Sequence, residues 1–158
     1  MVTILVPLDR SGFGEVALST VKKLARLTDD RVVLIQVVHP PDKPYFEDKT
    51  PFDEELQTLR EVAEEYLREM RIRLEAEGLE FLQIDVEVRT GEPVSEIVGI
   101  ASEKHADLIL MATHGRTGLR RVLLGSVAGA VLRASAIPVV LVRPPTLREA
   151  LEENEIKG

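Results

Sequence analysis

The sequence predicts a doubly wound α/β fold, a five-stranded parallel sheet with helices on both faces. Three observations carry the prediction. Five short apolar runs rich in Val, Ile and Leu recur along the 158 residues. Between them lie four stretches with apolar residues near helical spacing. Most of the runs are continuously apolar, as strands buried on both faces are. Such strands joined by helices form a parallel sheet with right-handed crossovers.

In chain order, residues 2–6 (VTILV) read as the first strand. A helix follows from Glu15 to Leu27, with Val16, Ala17, Val21, Leu24 and Leu27 on one face. Residues 31–38 (RVVLIQVV) are the second strand. Residues 39–51 hold four prolines and several charges, the composition of a loop. A long amphipathic helix covers 53–77 and stops at Gly78. Residues 81–89 form a third strand with less regular patterning. Thr90-Gly91-Glu92-Pro93 then opens a helix to about His105, with Pro93 where a helix start tolerates it. Residues 107–111 are the fourth strand, and the stretch MATHGRTGLRRVLLGSVAGAVLR supplies a loop and the fourth helix. The fifth strand runs from Ile137 to Val142, and Pro144-Pro145 ends the core. The expected organisation is one α/β domain over 1–145 and a charged tail or short helix over 146–158.

Composition narrows the function classes. The chain has no cysteine, which removes disulfides, thiolate metal sites and cysteine nucleophiles. Its net charge is −7, opposite to that of a whole-surface nucleic-acid binder. The first apolar run is too short for a secretory signal and lacks a basic start. No apolar run approaches the ~20 residues of a membrane span. A soluble, cytoplasmic protein is expected, with neither nucleic acid nor membrane as partner.

Open parallel sheets bind ligands beyond the carboxyl ends of the strands, where the strand order reverses. An order of 3-2-1-4-5 sets the loops after the first and fourth strands side by side at that point. One is Pro7-Leu-Asp-Arg-Ser-Gly-Phe-Gly14 and the other begins at Ala112-Thr-His-Gly115. No Walker A lysine is present. Gly12-Phe-Gly14-Glu-Val-Ala17 fits a dinucleotide turn, but His39-Pro40 stands where that motif wants an acidic residue. The same glycines also read as a flexible approach to a helix. Ala112-x2-Gly115-x9-Gly125-Ser126 is the stronger pattern. Gly125-Ser126 opens the last helix, whose unpaired N–H groups and positive dipole end attract an anion, with the Ser126 hydroxyl as a further donor. Arg116, Arg120 and Arg121 raise the local potential. The alternative is a helix capped by Ser126 beside a solvated basic face.

This pattern, GxxGx9G[ST] with Thr113-His-Gly-Arg-Thr-Gly-Leu119, Leu123-Leu-Gly-Ser-Val127 and a final PVVLV strand, resembles the ATP-binding branch of the universal stress protein family. The resemblance runs from Val2 to about Arg143. It implies a five-stranded parallel sheet, ATP accompanied by Mg²⁺ or Mn²⁺, and a stress-response role. Pro7 and Asp9 would lie by the adenosine, with Asp9 on the ribose or metal side. Val37 would line the adenine pocket. Met111, Ala112, Gly115 and Arg116 would wrap the ribose and phosphates. Gly125, Ser126 and Val127 would hold the phosphates. The family has a glycine where Ala112 stands, so one methyl group is added where the backbone approaches the ligand.

No residue reads as a catalytic base, so the expected activity is nucleotide binding with at most slow hydrolysis. The last strand, Ile137 to Val142, is an apolar sheet edge. Pairing with a symmetry mate would cover it, and the resemblance implies such a homodimer. Two other readings stand beside this one. The first is a dimeric interaction scaffold that binds no nucleotide. The second is a flavodoxin-like dinucleotide or flavin protein using the Gly12-Phe-Gly14 turn.

Overall fold

The computed structural model describes residues 1–12, 14–25, 29–41, 49–113 and 124–143, with the backbone alone at 49–52. Along them the chain runs β1 (Thr3–Pro7), α1 (Val16–Leu24), β2 (Arg31–Val38), α2 (Lys49–Leu74), a π-helical turn (Glu75–Leu79), β3 (Gln83–Thr90), α3 (Pro93–Glu103), β4 (Leu108–Ala112), α4 (Ser126–Ala134) and β5 (Val139–Val142). The expected tail or short helix after Pro145 lies outside the described residues. So do Gly115 and Arg116.

All strand pairs are parallel, as the alternation of elements predicts, and the order is the expected β3-β2-β1-β4-β5. The winding reverses between β1 and β4. Successive residues of a strand point to opposite faces, so the inner strands feed two cores. On one face Ile4, Val6, Val32 and Leu34 meet Ala17 and Val21 of α1 and Leu67 and Leu74 of α2. On the other, Leu5, Val33, Ile35 and Ile109 meet Ile97 and Ile100 of α3 and Val131 of α4. This double burial is why the sequence shows continuous apolar runs.

Two carboxylates pin the amino-terminal ends of the strands. Asp30, just ahead of β2 and 2% exposed, accepts from the Val2 amide at 2.8 Å. Asp107, ahead of β4, accepts from the Thr3 amide at 2.7 Å. The central strand β1 is thereby tied to both its neighbours outside the backbone ladder.

The two rims of the sheet differ in character. Along β3, Asp85 pairs with Arg31, while Glu87 and Arg89 form one ion network with Glu103 at the end of α3 and Lys104 just after it. At β5, Val140 is exposed, and Leu132 of the neighbouring α4 is exposed as well.

Several element ends depart from expectation. α2 starts at Lys49 rather than at residue 53, because Pro51 falls in the first turn, where its missing N–H breaks no intrahelical bond. α1 ends at Leu24 and not at Leu27, with Ala25 already extended. β3 starts at Gln83, since Leu82 still bonds back to the Leu79 carbonyl. β5 starts at Val139, because the Ser135 hydroxyl bonds both the amide and the carbonyl of Ile137 and holds a turn there.

Candidate functional site

The carboxyl ends of β1, β2 and β4 open onto one cavity of about 270 Å³. Pro7, Asp9, Val37, Met111, Ala112, Gly125, Ser126 and Val127, all singled out from the sequence, line it together. Leu8, Gly14, Ile35, Pro93, Ile97, Thr113 and Ala128 line it too. From the sequence, Pro93 reads only as part of a helix start, and Ile97 is not singled out. The signal for them is topological, because a helix following a parallel strand begins at the same end of the sheet as every ligand loop.

The β1–α1 loop is held by its own side chains. Asp9 Oδ1 accepts from the Ser11 amide at 3.0 Å and from the Ser11 hydroxyl. The Gly14 amide donates to the Ser11 hydroxyl oxygen at 2.9 Å. Arg10 adopts a left-handed φ of 63° to let this turn close. Asp9 therefore orders its own loop, two residues on, and does not cap α1. The cap position of α1 belongs to Glu15, which makes no side-chain cap bond.

Across the cavity, the Gly125 amide donates to the Thr113 carbonyl at 2.6 Å, bringing the start of α4 to the end of β4. The first intrahelical bond of α4 is Gly129 amide to Gly125 carbonyl at 2.8 Å. The amides of Ser126, Val127 and Ala128 precede it and lack intrahelical partners, and all three residues line the cavity. Ser126 is the first residue of the helix and Gly125 is its cap, so Ser126 is not the capping residue. Its hydroxyl has no hydrogen-bond partner among the described residues.

α3 also begins at the cavity, but its N-terminus is already filled. Glu92 accepts from the Ser95 amide at 2.8 Å and the Val94 amide at 3.1 Å. Those bonds hold the Glu92 carboxyl below the usual carboxylate range, the Ser95 amide first and the Val94 amide second. Among the described residues, the start of α4, unlike that of α3, keeps amides without a hydrogen-bond partner.

The strand register exposes a second backbone feature. β2 pairs with β1 only as far as Pro7–Ile35, yet pairs with β3 on to Val38–Thr90. Leu8 donates to the Ile35 carbonyl at 2.8 Å, the last link to the β1 side. Backbone groups alternate sides along a strand. The Val37 amide and carbonyl are therefore the next pair to face that side, where β1 supplies no partner.

Ala112 ends β4 in register with Val142, and its φ is not positive. The alanine methyl is accommodated in ordinary strand geometry. Among the described residues no group of three or more His, Asp or Glu side chains gathers to hold a metal ion. Asp9 is the single carboxylate in the lining among the described residues. That donor set fits a Mg²⁺ carried by phosphates and waters, which takes one or two protein carboxylates, and does not fit a cage built wholly by protein.

The model of the universal stress protein family matches residues 1–143. The chain belongs to the universal stress protein family. It is 34% identical over 142 residues to universal stress protein MJ0531 of Methanocaldococcus jannaschii, covering 90% of this chain and 82% of that protein. It is 33% identical over 154 residues to MJ0577 of the same organism, covering 89% of this chain and 93% of that protein. The solved structure of MJ0577 is similar with a TM-score of 0.66 over 92% of this chain and 97% of that one. The universal stress protein UspA from Lactobacillus plantarum shares the fold with a TM-score of 0.76 at 22% identity, covering 90% of this chain and 97% of that one. Two further structures of this fold carry small ligands. One is a universal stress protein in complex with cAMP, with a TM-score of 0.59 and 23% identity over 91% of this chain and 98% of that one. The other is a family protein from Arabidopsis thaliana with AMP bound, with a TM-score of 0.61 and 14% identity over 92% of this chain and 94% of that one. In this universal stress protein no helix among the described residues is long and apolar enough to cross a membrane.

Proposed function

We propose that this universal stress protein binds ATP with Mg²⁺ or Mn²⁺ in the cavity between the β1 and β4 loops. The observation that carries the reading is the pairing, in one cavity, of two backbone sets that have no partner among the described residues. The three free amides at the start of α4 suit a phosphate chain. The Val37 amide and carbonyl, at the apolar end with Ile35 and Ile97, suit the edge of a base. Adenine presents an acceptor at N1 beside the N6 donor, the complement of a backbone donor and acceptor. Asp9, also in the lining, would serve as a ribose or metal-side contact, and Gly115 and Arg116 follow from the family pattern. The cAMP and AMP structures of the same fold accord with a ligand of this class.

Among the described residues the lining contains no histidine and one carboxylate, and that carboxylate is engaged by Ser11. Binding, with at most slow hydrolysis, is the activity this arrangement serves. Mass analysis of nucleotide released on denaturation, followed by titration of the stripped protein with ATP and Mg²⁺, tests it. Adenine nucleotide in the release, or micromolar binding, is the expected result. Neither release nor binding would refute it.

The exposed Val140 on edge strand β5 favours a second element, a homodimer across that edge in which nucleotide stabilises one arrangement. The protein would then work as a nucleotide-dependent regulator or scaffold in the cytoplasm, with residues 1–145 as one domain. Sedimentation of wild type as a dimer and of Val140→Lys as a monomer is the expected outcome. A scaffold that needs no nucleotide would keep its assembly and its partners when Gly125 and Ser126 are replaced.

A further inference from the structure

The start of α1 is fastened to α2. Glu15 occupies the α1 cap position, but its carboxylate crosses to the neighbouring helix. There Oε1 accepts from the Tyr66 hydroxyl at 3.2 Å, and Oε2 accepts from Arg73 Nη1 at 3.0 Å. Tyr66 is half-buried. Burial first, then the charges of Glu15 and Asp9, raises its hydroxyl pKa well above the ordinary value, so the proton needed for donation stays in place. Gly14, the residue before Glu15, lines the cavity and donates to Ser11, which in turn donates to Asp9. Three short links thus connect a side chain on α2 with the carboxylate of the cavity: Tyr66 to Glu15, Gly14 to Ser11, and Ser11 to Asp9. Tyr66 itself is absent from the cavity lining.

We propose that Tyr66, with Arg73, is a positioning residue for the ligand site, acting through Glu15 to hold the β1–α1 loop with Asp9 in place. Tyr66 dominates. A half-buried hydrogen bond to a carboxylate outweighs the Arg73–Glu15 ion pair, whose cation is half in solvent. The ligand part of the inference rests on the nucleotide reading above, and the loop part does not.

Tyr66→Phe keeps the ring and removes the donor. Two measurements decide the matter. The first is amide hydrogen exchange in the ligand-free protein, where Gly14 exchanges faster in the variant while the β2 core amides do not change. The second is Mg·ATP affinity in a double-mutant cycle with Asp9→Ala. Affinity falls about fivefold when Asp9 is present and by less than about twofold when it is already gone, because residues in one network couple. Unchanged exchange at Gly14 overturns the proposal, as does an equal loss of affinity in both Asp9 backgrounds, which is the mark of a merely structural tyrosine. If wild type binds no nucleotide, the nucleotide reading fails and the Gly14 exchange alone decides whether Tyr66 holds the loop.

Discussion

Gly14 and Asp9 share one space: a Cβ built on Gly14 would sit 2.8 Å from Asp9 Oδ1, closer than side-chain carbons tolerate. The Gly14 φ is not in the left-handed region, so the requirement for glycine here is steric. Asp9 is held by Ser11 and has little freedom to retreat. Gly14→Ala is expected to leave the protein folded, with about 1–2 kcal/mol lost to overpacking. Mg·ATP affinity should drop at least tenfold as Asp9 is displaced. Calorimetric titration beside a thermal melt checks both, and unchanged affinity would separate Asp9 from the ligand.

The backbone edge at Val37 predicts base selectivity. Guanine offers a donor at N1 and an acceptor at O6, the reverse of adenine, and would set like groups against the Val37 amide and carbonyl. ATP should bind tighter than GTP by about 1–3 kcal/mol, the range for a mismatched pair of base-edge contacts. Competition titration with the two nucleotides measures the ratio. Because the contact is to backbone, Val37→Ile should keep the preference.

Glu92 gives a pH-dependent contribution of definite sign. Its carboxyl titrates below its unfolded value because the Ser95 and Val94 amides stabilise the charge. The stabilisation is present above the unfolded pKa, about 4.3. It is lost as the pH falls through the lower, folded value. Glu92→Gln should therefore be less stable than wild type at pH 7, and the gap should close in acid. Urea melts of both proteins at several pH values between neutral and acid would show this. A gap that is constant with pH would mean that the charge is not what caps α3.

Asp30 predicts a purely structural effect. Replacing it with Ala leaves the Val2 amide without that acceptor at a buried strand end, a loss of about 1–3 kcal/mol. The urea midpoint should fall while Mg·ATP affinity stays at the wild-type value. The site lies at the opposite end of the same strands, and that distance is what keeps the two properties separable.

Much of this molecule was legible in the chain. Residues 31–38 show β2 at its bounds because its middle, Val32 to Ile35, is buried on both faces and so is continuously apolar. The reversal point follows once the strand order is 3-2-1-4-5, an order that the alternation of elements does not itself fix. Helix ends were less legible. Pro51 looks like loop punctuation, yet inside a first helical turn it breaks nothing. Gly14 looked like a flexible hinge, and its real constraint, the Asp9 carboxylate against its Cα, involves a contact that no spacing rule encodes. The free Val37 edge depends on where β1 stops relative to β2, which is a matter of register. Tyr66 was invisible as a site residue, since a half-buried tyrosine on an amphipathic helix reads as ordinary core.

The unlike rims of the sheet bear on how far the proposed pairing could extend. One rim exposes Val140 on β5, and the other carries the ion-paired Glu87 and Arg89 of β3. Two chains meeting at β5, as proposed above, would leave the charged β3 borders facing outward. Self-association of that kind would end at two and not run on into a fibre. Crowding this protein in a cell should therefore yield more pairs and no filaments.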